Sequence, residues 1–138
     1  VRQVANGRTI LFDGAHNPDS IDKLVKSVER YFPDQRVAYV IGFSEDKDLG
    51  PMIERITRNA TAIIATRSTH PRAARAELIA GICREHGREA IVCGSAEHGL
   101  EDAVKVIHAM DSIDVFVITG SLFVAGGLRT LMMKDLEK

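Results

Sequence analysis

The sequence is short of most features that reveal a function at sight. Across 138 residues no apolar run approaches the roughly 20 residues needed to span a bilayer, and no signal peptide is visible. Only two cysteines are present, Cys83 and Cys93, without metal-type spacing. They read as reduced core residues, which argues against a zinc site or a disulfide framework. An excess of one charge is missing too. With 18 Lys and Arg against 19 Asp and Glu, the net charge of −1 gives no reason to expect nucleic acid or an anionic membrane as partner. No G-x-x-x-x-G-K-[ST] loop occurs, so a nucleoside triphosphate is not held by that device here. No G-x-G-x-x-G follows the first strand, and no nucleophile elbow, metal-ligand cluster, internal repeat or long linker is found. What remains is one cytoplasmic domain, and 45% hydrophobic content is ample for a single packed core. The chain also opens at Val1, inside a strand-like segment, from which we expect a piece of a longer protein.

Strand-like and helix-like segments alternate, joined by short connections. Strands are predicted at Arg2–Ala5, Thr9–Asp13, Arg36–Ile41, Ala60–Ala65, Ala90–Cys93 and Asp114–Thr119. The first two flank Asn6-Gly7, a dipeptide that favours a type I′ hairpin, so they should pair antiparallel. Later strands are continuous apolar runs, such as Val37 to Ile41 and Val115 to Ile118, which suit a sheet covered on both faces. Between them, Ile21, Leu24, Val25 and Val28 recur at helical spacing, as do Leu49, Met52, Ile53 and Ile56, and Leu100, Ala103, Val104 and Ile107. Shorter stripes run through Leu78, Ile79, Ile82 and Cys83, and through Val124, Leu128, Leu131 and Met132. The predicted fold is α/β: a Rossmann-like, three-layer domain over residues 1–138. Its sheet should have six mostly parallel strands with an antiparallel edge hairpin.

One block stands out: Asp13-Gly14-Ala15-His16-Asn17-Pro18. It follows an apolar strand and opens a helix, with Pro18 suited to the first helical position and Asn17 to the cap before it. Free backbone N–H groups and the positive end of the helix dipole then lie beside an acid and an imidazole. A capped helix start with no ligand would use the same residues. In an open parallel sheet, ligands bind beyond the carboxyl ends of the strands. The loops leaving those ends carry Asp13, His16, Asn17, Ser44, Asp46, Lys47, Asp48, Thr66, His70, Arg72, Ser95, Thr119 and Ser121. Gly42 would let the chain turn sharply as its strand ends. Lys47 is a candidate anion contact, or else part of a solvated Asp–Lys–Asp run. Arg72 could grip a carboxylate, or simply face water. Ser121 could offer a hydroxyl to an anion, or merely cap the last helix. His86, His98 and His108 fall in helix patterns expected to lie away from this rim.

In the order and spacing of four blocks, the chain resembles the C-terminal domain of the folylpolyglutamate synthase and dihydrofolate synthase branch of the Mur ligase family. The blocks are Asp13 to Pro18, Gly42 with Asp46-Lys47-Asp48, Pro71-Arg72-Ala73, and Gly120-Ser121-Leu122-Phe123. The resemblance implies an ATP-dependent ligase that adds L-glutamate to dihydropteroate or folate through an acyl phosphate. Asp13, His16 and Asn17 would contact ATP, while His16, Ser121 and Arg72 would contact glutamate. The resemblance implies Mg held mainly by an N-terminal ATPase domain absent from this chain, which would be its partner. No metal site within the chain is implied, and the isolated domain is expected to be inactive. A peptidoglycan-type Mur amino-acid ligase domain and a non-catalytic nucleotide- or amino-acid-binding module remain alternatives.

Overall fold

The computed structural model describes residues 2–5 and 7–137, with side chains from 7 to 133. Six strands, β1 Arg2–Ala5, β2 Arg8–Phe12, β3 Val37–Ile41, β4 Ala62–Thr66, β5 Ile91–Cys93 and β6 Val115–Thr119, form one sheet in the order β1-β2-β6-β3-β4-β5. The five strands from β2 to β5 in that order are mutually parallel, and β1 runs antiparallel along β2, with Arg2 opposite Leu11. The turn expected at Asn6-Gly7 includes Asn6, which lies outside the described residues.

Five helices cover the sheet: α1 Pro18–Tyr31, α2 Leu49–Thr57, α3 Ala76–Glu85, α4 Gly99–Ala109 and α5 Leu122–Glu137. Strand parity divides the core into two layers. Val37, Tyr39, Ile41, Ile63, Ala65, Val115 and Val117 face α1, α2 and α3. Ala38, Val40, Ile64, Phe116 and Ile118 face α4 and α5 instead. Every residue of β3 and β6 is buried, which is why both read as unbroken apolar runs. On α1, Ile21, Leu24, Val25 and Val28 are the buried residues, each stabilising the fold by about 1.5–3 kcal/mol through apolar burial. At the sheet edge β5 is only half covered, and Ile91 and Val92 are exposed.

Some predicted strand ends are one or two residues too long. Asp114 lies just before β6, where its carboxylate accepts hydrogen bonds from the Arg36 backbone N–H and guanidinium. Ala60 and Thr61 belong to the entry turn of β4, where the Arg88 guanidinium donates to the Ala60 carbonyl. Asp13 lies just beyond β2, and Thr66 extends β4.

The topology decides where a ligand meets the chain. From the end of β2 the chain leaves into α1 on one face, and from the neighbouring β6 it leaves into α5 on the other. The strands on either side of β6, namely β2 and β3, both send the chain to the face opposite α5. A crevice therefore opens at the carboxyl ends of β2, β6 and β3. None of the described helices is long and apolar enough to cross a membrane.

Candidate functional site

The block after β2 folds into a tight corner. Asp13 donates its backbone N–H to the Ile118 carbonyl at 2.9 Å, extending the parallel ladder by one step. Its Oδ1 accepts the Ala15 N–H at 2.8 Å, which leaves Oδ2 without a hydrogen bond among the described residues. Asn17 caps α1: its side chain accepts the Ser20 N–H at 2.9 Å, and the Asn17 N–H donates to Ser20 Oγ at 3.2 Å. Ser20 Oγ also accepts the His16 N–H at 3.2 Å. The Asn17 oxygen is thus committed to the helix start. His16 is exposed, and its Nδ1 lies 2.9 Å from the Gly14 carbonyl oxygen. A carbonyl can only accept, so Nδ1 carries the proton and Nε2 of the neutral ring is a free acceptor.

The corner after β6 locks onto it. Both the Gly120 N–H (3.0 Å) and the Thr119 hydroxyl (3.3 Å) donate to the Ala15 carbonyl. Gly120 has φ of +110°, and a Cβ there would collide with the Gly42 carbonyl oxygen. Ser121 caps α5, its Oγ accepting the Val124 N–H at 3.1 Å. An Oγ that accepts from the backbone still has its proton to donate, so the capping and ligand roles of Ser121 are compatible. Gly42 differs from the sequence expectation. Its φ is not in the left-handed region; it is needed for room, because a Cβ would sit 2.9 Å from the Thr66 carbonyl oxygen and 2.7 Å from Val124 Cγ2.

The loops after β3 and β4 pair with each other. Ser44 and Ala73 form an isolated antiparallel bridge, with Glu45 N–H donating to the Arg72 carbonyl at 2.7 Å and Ala74 N–H to Phe43 at 2.8 Å. Ser44 Oγ donates to Asp46 Oδ1 at 2.5 Å. That hydroxyl above all, with Lys47 and Arg72 as smaller influences, holds the Asp46 carboxyl below the usual carboxylate range. Lys47 and Arg72 therefore share the neighbourhood of Asp46, and neither forms a salt bridge among the described residues.

These corners enclose a shallow cavity of about 210 Å³ lined by His16, Ser44, Asp46, Lys47, Ser121 and Phe123, among others. His16, Lys47 and Ser121, which leave the ends of three different strands, are brought together there. Asp13, Asn17 and Arg72 do not line it. A larger hollow, about 420 Å³, lies between α1 and β2 at Leu11, Leu24 and Tyr31, but it carries no titratable group other than the Tyr31 phenol. Among the described residues, no group of three or more His, Cys, Asp and Glu side chains is placed to hold a metal ion.

Two features escape a reading of the sequence. Leu122 and Phe123 are 70% and 57% exposed, an apolar pair at the mouth of the cavity. Their place outside the Val124–Leu128–Met132 stripe was the available signal. His98 is also placed differently from expectation: it follows β5 and caps α4, so it belongs to the carboxyl-end rim. There it faces Glu97 and Glu101, at 3.8 and 3.4 Å.

Comparison with known proteins gives these features a context. Residues 1–122 match the family described as Mur ligase, glutamate ligase domain. Folylpolyglutamate synthase of Lacticaseibacillus casei is 28% identical over 134 residues, covering 96% of this chain and 29% of the relative. A UDP-N-acetylmuramoyl-L-alanyl-D-glutamate–2,6-diaminopimelate ligase of Bradyrhizobium diazoefficiens is 32% identical over 125 residues, covering 84% of this chain and 26% of the relative. The structure of Mycobacterium tuberculosis folylpolyglutamate synthase complexed with ADP and AMPPCP superposes with a TM-score of 0.76 at 26% identity, covering 95% of this chain and 31% of that one. The chain spans less than a third of the length of each. On the match across residues 1–122, the chain belongs to the Mur ligase family, as a glutamate ligase domain.

Proposed function

We propose that this chain is the C-terminal domain of an ATP-dependent ligase that joins L-glutamate to dihydropteroate or a folate. It would act by closing over ATP and glutamate bound at an N-terminal ATPase domain of the same protein. The observation that carries this reading is the cavity where His16, Lys47 and Ser121 converge from the ends of β2, β3 and β6. The relative complexed with ADP and AMPPCP supports a nucleotide as one ligand.

ATP supplies the phosphoryl group that activates the acceptor carboxylate as an acyl phosphate. This chain's residues then position and shield. His16 Nε2 accepts a hydrogen bond from the incoming ammonium, and the Ser121 hydroxyl donates to a glutamate carboxylate. Lys47 offers a point charge to phosphate or carboxylate, and Arg72 a planar fork to a carboxylate. Asp13 Oδ2, left free by the Ala15 contact, suits a ribose hydroxyl. Closure would bring Leu122 and Phe123 over the site and exclude water from the acyl phosphate. Magnesium would travel with ATP and take its protein ligands from the ATPase domain.

The match to the Bradyrhizobium ligase favours a second reading, an amino-acid ligase acting on a nucleotide-linked muropeptide. The Asp46-Lys47-Asp48 block and the Gly120-Ser121-Leu122-Phe123 block resemble the folate branch more than the peptidoglycan branch, which supports the first reading. Full-length protein assayed with ATP and glutamate should release phosphate with dihydropteroate or folate as acceptor. Turnover only with the muropeptide acceptor, supplied with glutamate or 2,6-diaminopimelate, would replace the first reading by the second. The 138-residue chain by itself should turn over neither, and ATP-dependent glutamate addition by it would refute the two-domain reading.

A further inference from the structure

His70 makes two contacts that the proposed chemistry does not use. Its Nδ1 accepts the Arg72 backbone N–H at 3.1 Å. A ring nitrogen that accepts is unprotonated, so the neutral imidazole carries its proton on Nε2. The same ring stacks on Phe123, with centroids 4.2 Å apart and planes inclined by 30°. Ser68 Oγ steadies the imidazole's own backbone, accepting the His70 N–H at 3.2 Å. One side chain therefore joins two parts of the rim that come from different strands. Arg72 lies two residues beyond His70, in the loop after β4. Ser121 lies two residues before Phe123, at the start of α5.

Phe123 stands outside the buried stripe of α5. It is more than half exposed, and the body of α5 packs through Val124, Leu128 and Met132. Phe123 also separates two hollows. One is the cavity of His16, Lys47 and Ser121. The other is a pinched space of about 10 Å³ beneath the stack, reaching Phe43, Ser68 and Ala73. Ser44, Ser121 and Phe123 line both. A Phe123 ring swung off His70 would open the pinched space toward the cavity and break this contact between the Arg72 loop and α5.

We propose that His70 and Phe123 are positioning residues that set the distance between Arg72 and Ser121, and so fix the width of the amino-acid side of the site. This rests on the reading of Arg72 and Ser121 as glutamate contacts. The two jobs of His70 separate by substitution. His70→Asn keeps an acceptor near the Nδ1 position and loses the ring, whereas His70→Phe keeps a ring and loses the acceptor. Phe123→Ala removes the stack, and Phe123→Tyr retains it.

Two measurements test the proposal. In the 138-residue chain, amide exchange at Arg72 should quicken at least tenfold in His70→Phe and stay within about threefold of wild type in His70→Asn. In the full-length protein, His70→Phe and Phe123→Ala should raise KM for glutamate five- to twentyfold with KM for ATP unchanged, and His70→Phe, which keeps the Phe123 cover, should hold kcat within about threefold. Phe123→Tyr should restore the glutamate KM. A role confined to stability would lower the melting temperature without this split, so melting curves accompany each variant. Unaltered Arg72 exchange in His70→Phe, or an unaltered glutamate KM in folded His70→Phe and Phe123→Ala, overturns the proposal. Arg72→Ala and Ser121→Ala separate the two layers of inference. If those variants raise the glutamate KM and the stack variants do not, the positioning role fails alone. If neither set changes it, the glutamate assignment fails, and the positioning of the amino-acid side fails with it.

Discussion

Replacing Gly120 by alanine tests the corner on which the site is built. At φ of +110° an L-residue is strained whatever space surrounds it, at about 1–3 kcal/mol. Space is missing as well. The new methyl would collide with the Gly42 carbonyl oxygen and lie 2.9 Å from Cε1 of the fully buried Phe43 ring. Overpacking of this kind costs a further ~1–3 kcal/mol, and the Gly42 backbone, tied through its N–H to the Thr119 carbonyl at 3.3 Å, has little freedom to yield. Together these give about 2–6 kcal/mol, a large part of the 5–15 kcal/mol typical of a domain. Gly87 is the control. It closes α3 with φ of +76°, but a methyl there meets nothing within 4 Å. Gly87→Ala should therefore lose only the conformational cost, about 1–2 kcal/mol. Urea unfolding of the two variants, with slopes unchanged from wild type, reads the difference directly. At about 3–5 °C per kcal/mol for a chain of this size, Gly120→Ala should also melt roughly 6–30 °C lower. If both variants lost the same stability to within about 0.5 kcal/mol, the close approach of the β3 and β6 corners would be refuted.

Asn17→Ala removes the side-chain half of the α1 capping box and should cost about 1 kcal/mol, while Asn17→Asp keeps the acceptor and most of the stability. Equal melting points for the two would show that the cap contributes nothing. Asp114 gives a pH test. Hydrogen bonds from Arg36, side chain first and backbone second, hold its exposed carboxyl below 3.8 in the folded protein. A depressed carboxyl contributes stability above its unfolded value, and that contribution is lost as pH falls through the folded one. Melting temperature should thus fall less steeply below pH of about 4 in Asp114→Asn than in wild type; parallel slopes would contradict the pairing.

Much of the fold is legible in the order of the residues. The stripe from Ile21 to Val28 gives α1 its buried face, and Asn17 with Pro18 gives it its start, because capping and periodicity depend on neighbours within four positions. The unbroken apolar runs of β3 and β6 announce strands covered on both faces. The collection of polar residues after the strand ends is likewise a local pattern. Its members can be named from the sequence without knowing which of them meet.

Their meeting is a tertiary matter. Nothing near Val115 in the sequence says that β6 inserts between β2 and β3, more than a hundred residues from the first of them. That insertion brings Ser121 to His16 and Lys47, and leaves Asp13 and Arg72 outside their cavity. The room that makes Gly42 necessary, the pairing of Ser44 with Ala73 and the stack of His70 on Phe123 arise the same way. By itself the sequence determined the elements, their caps and their buried faces, since each follows from interactions within one turn or one pleat. Which strand ends lie side by side depends on the packing of whole layers, and only the tertiary structure decided which side chains face one another across the rim.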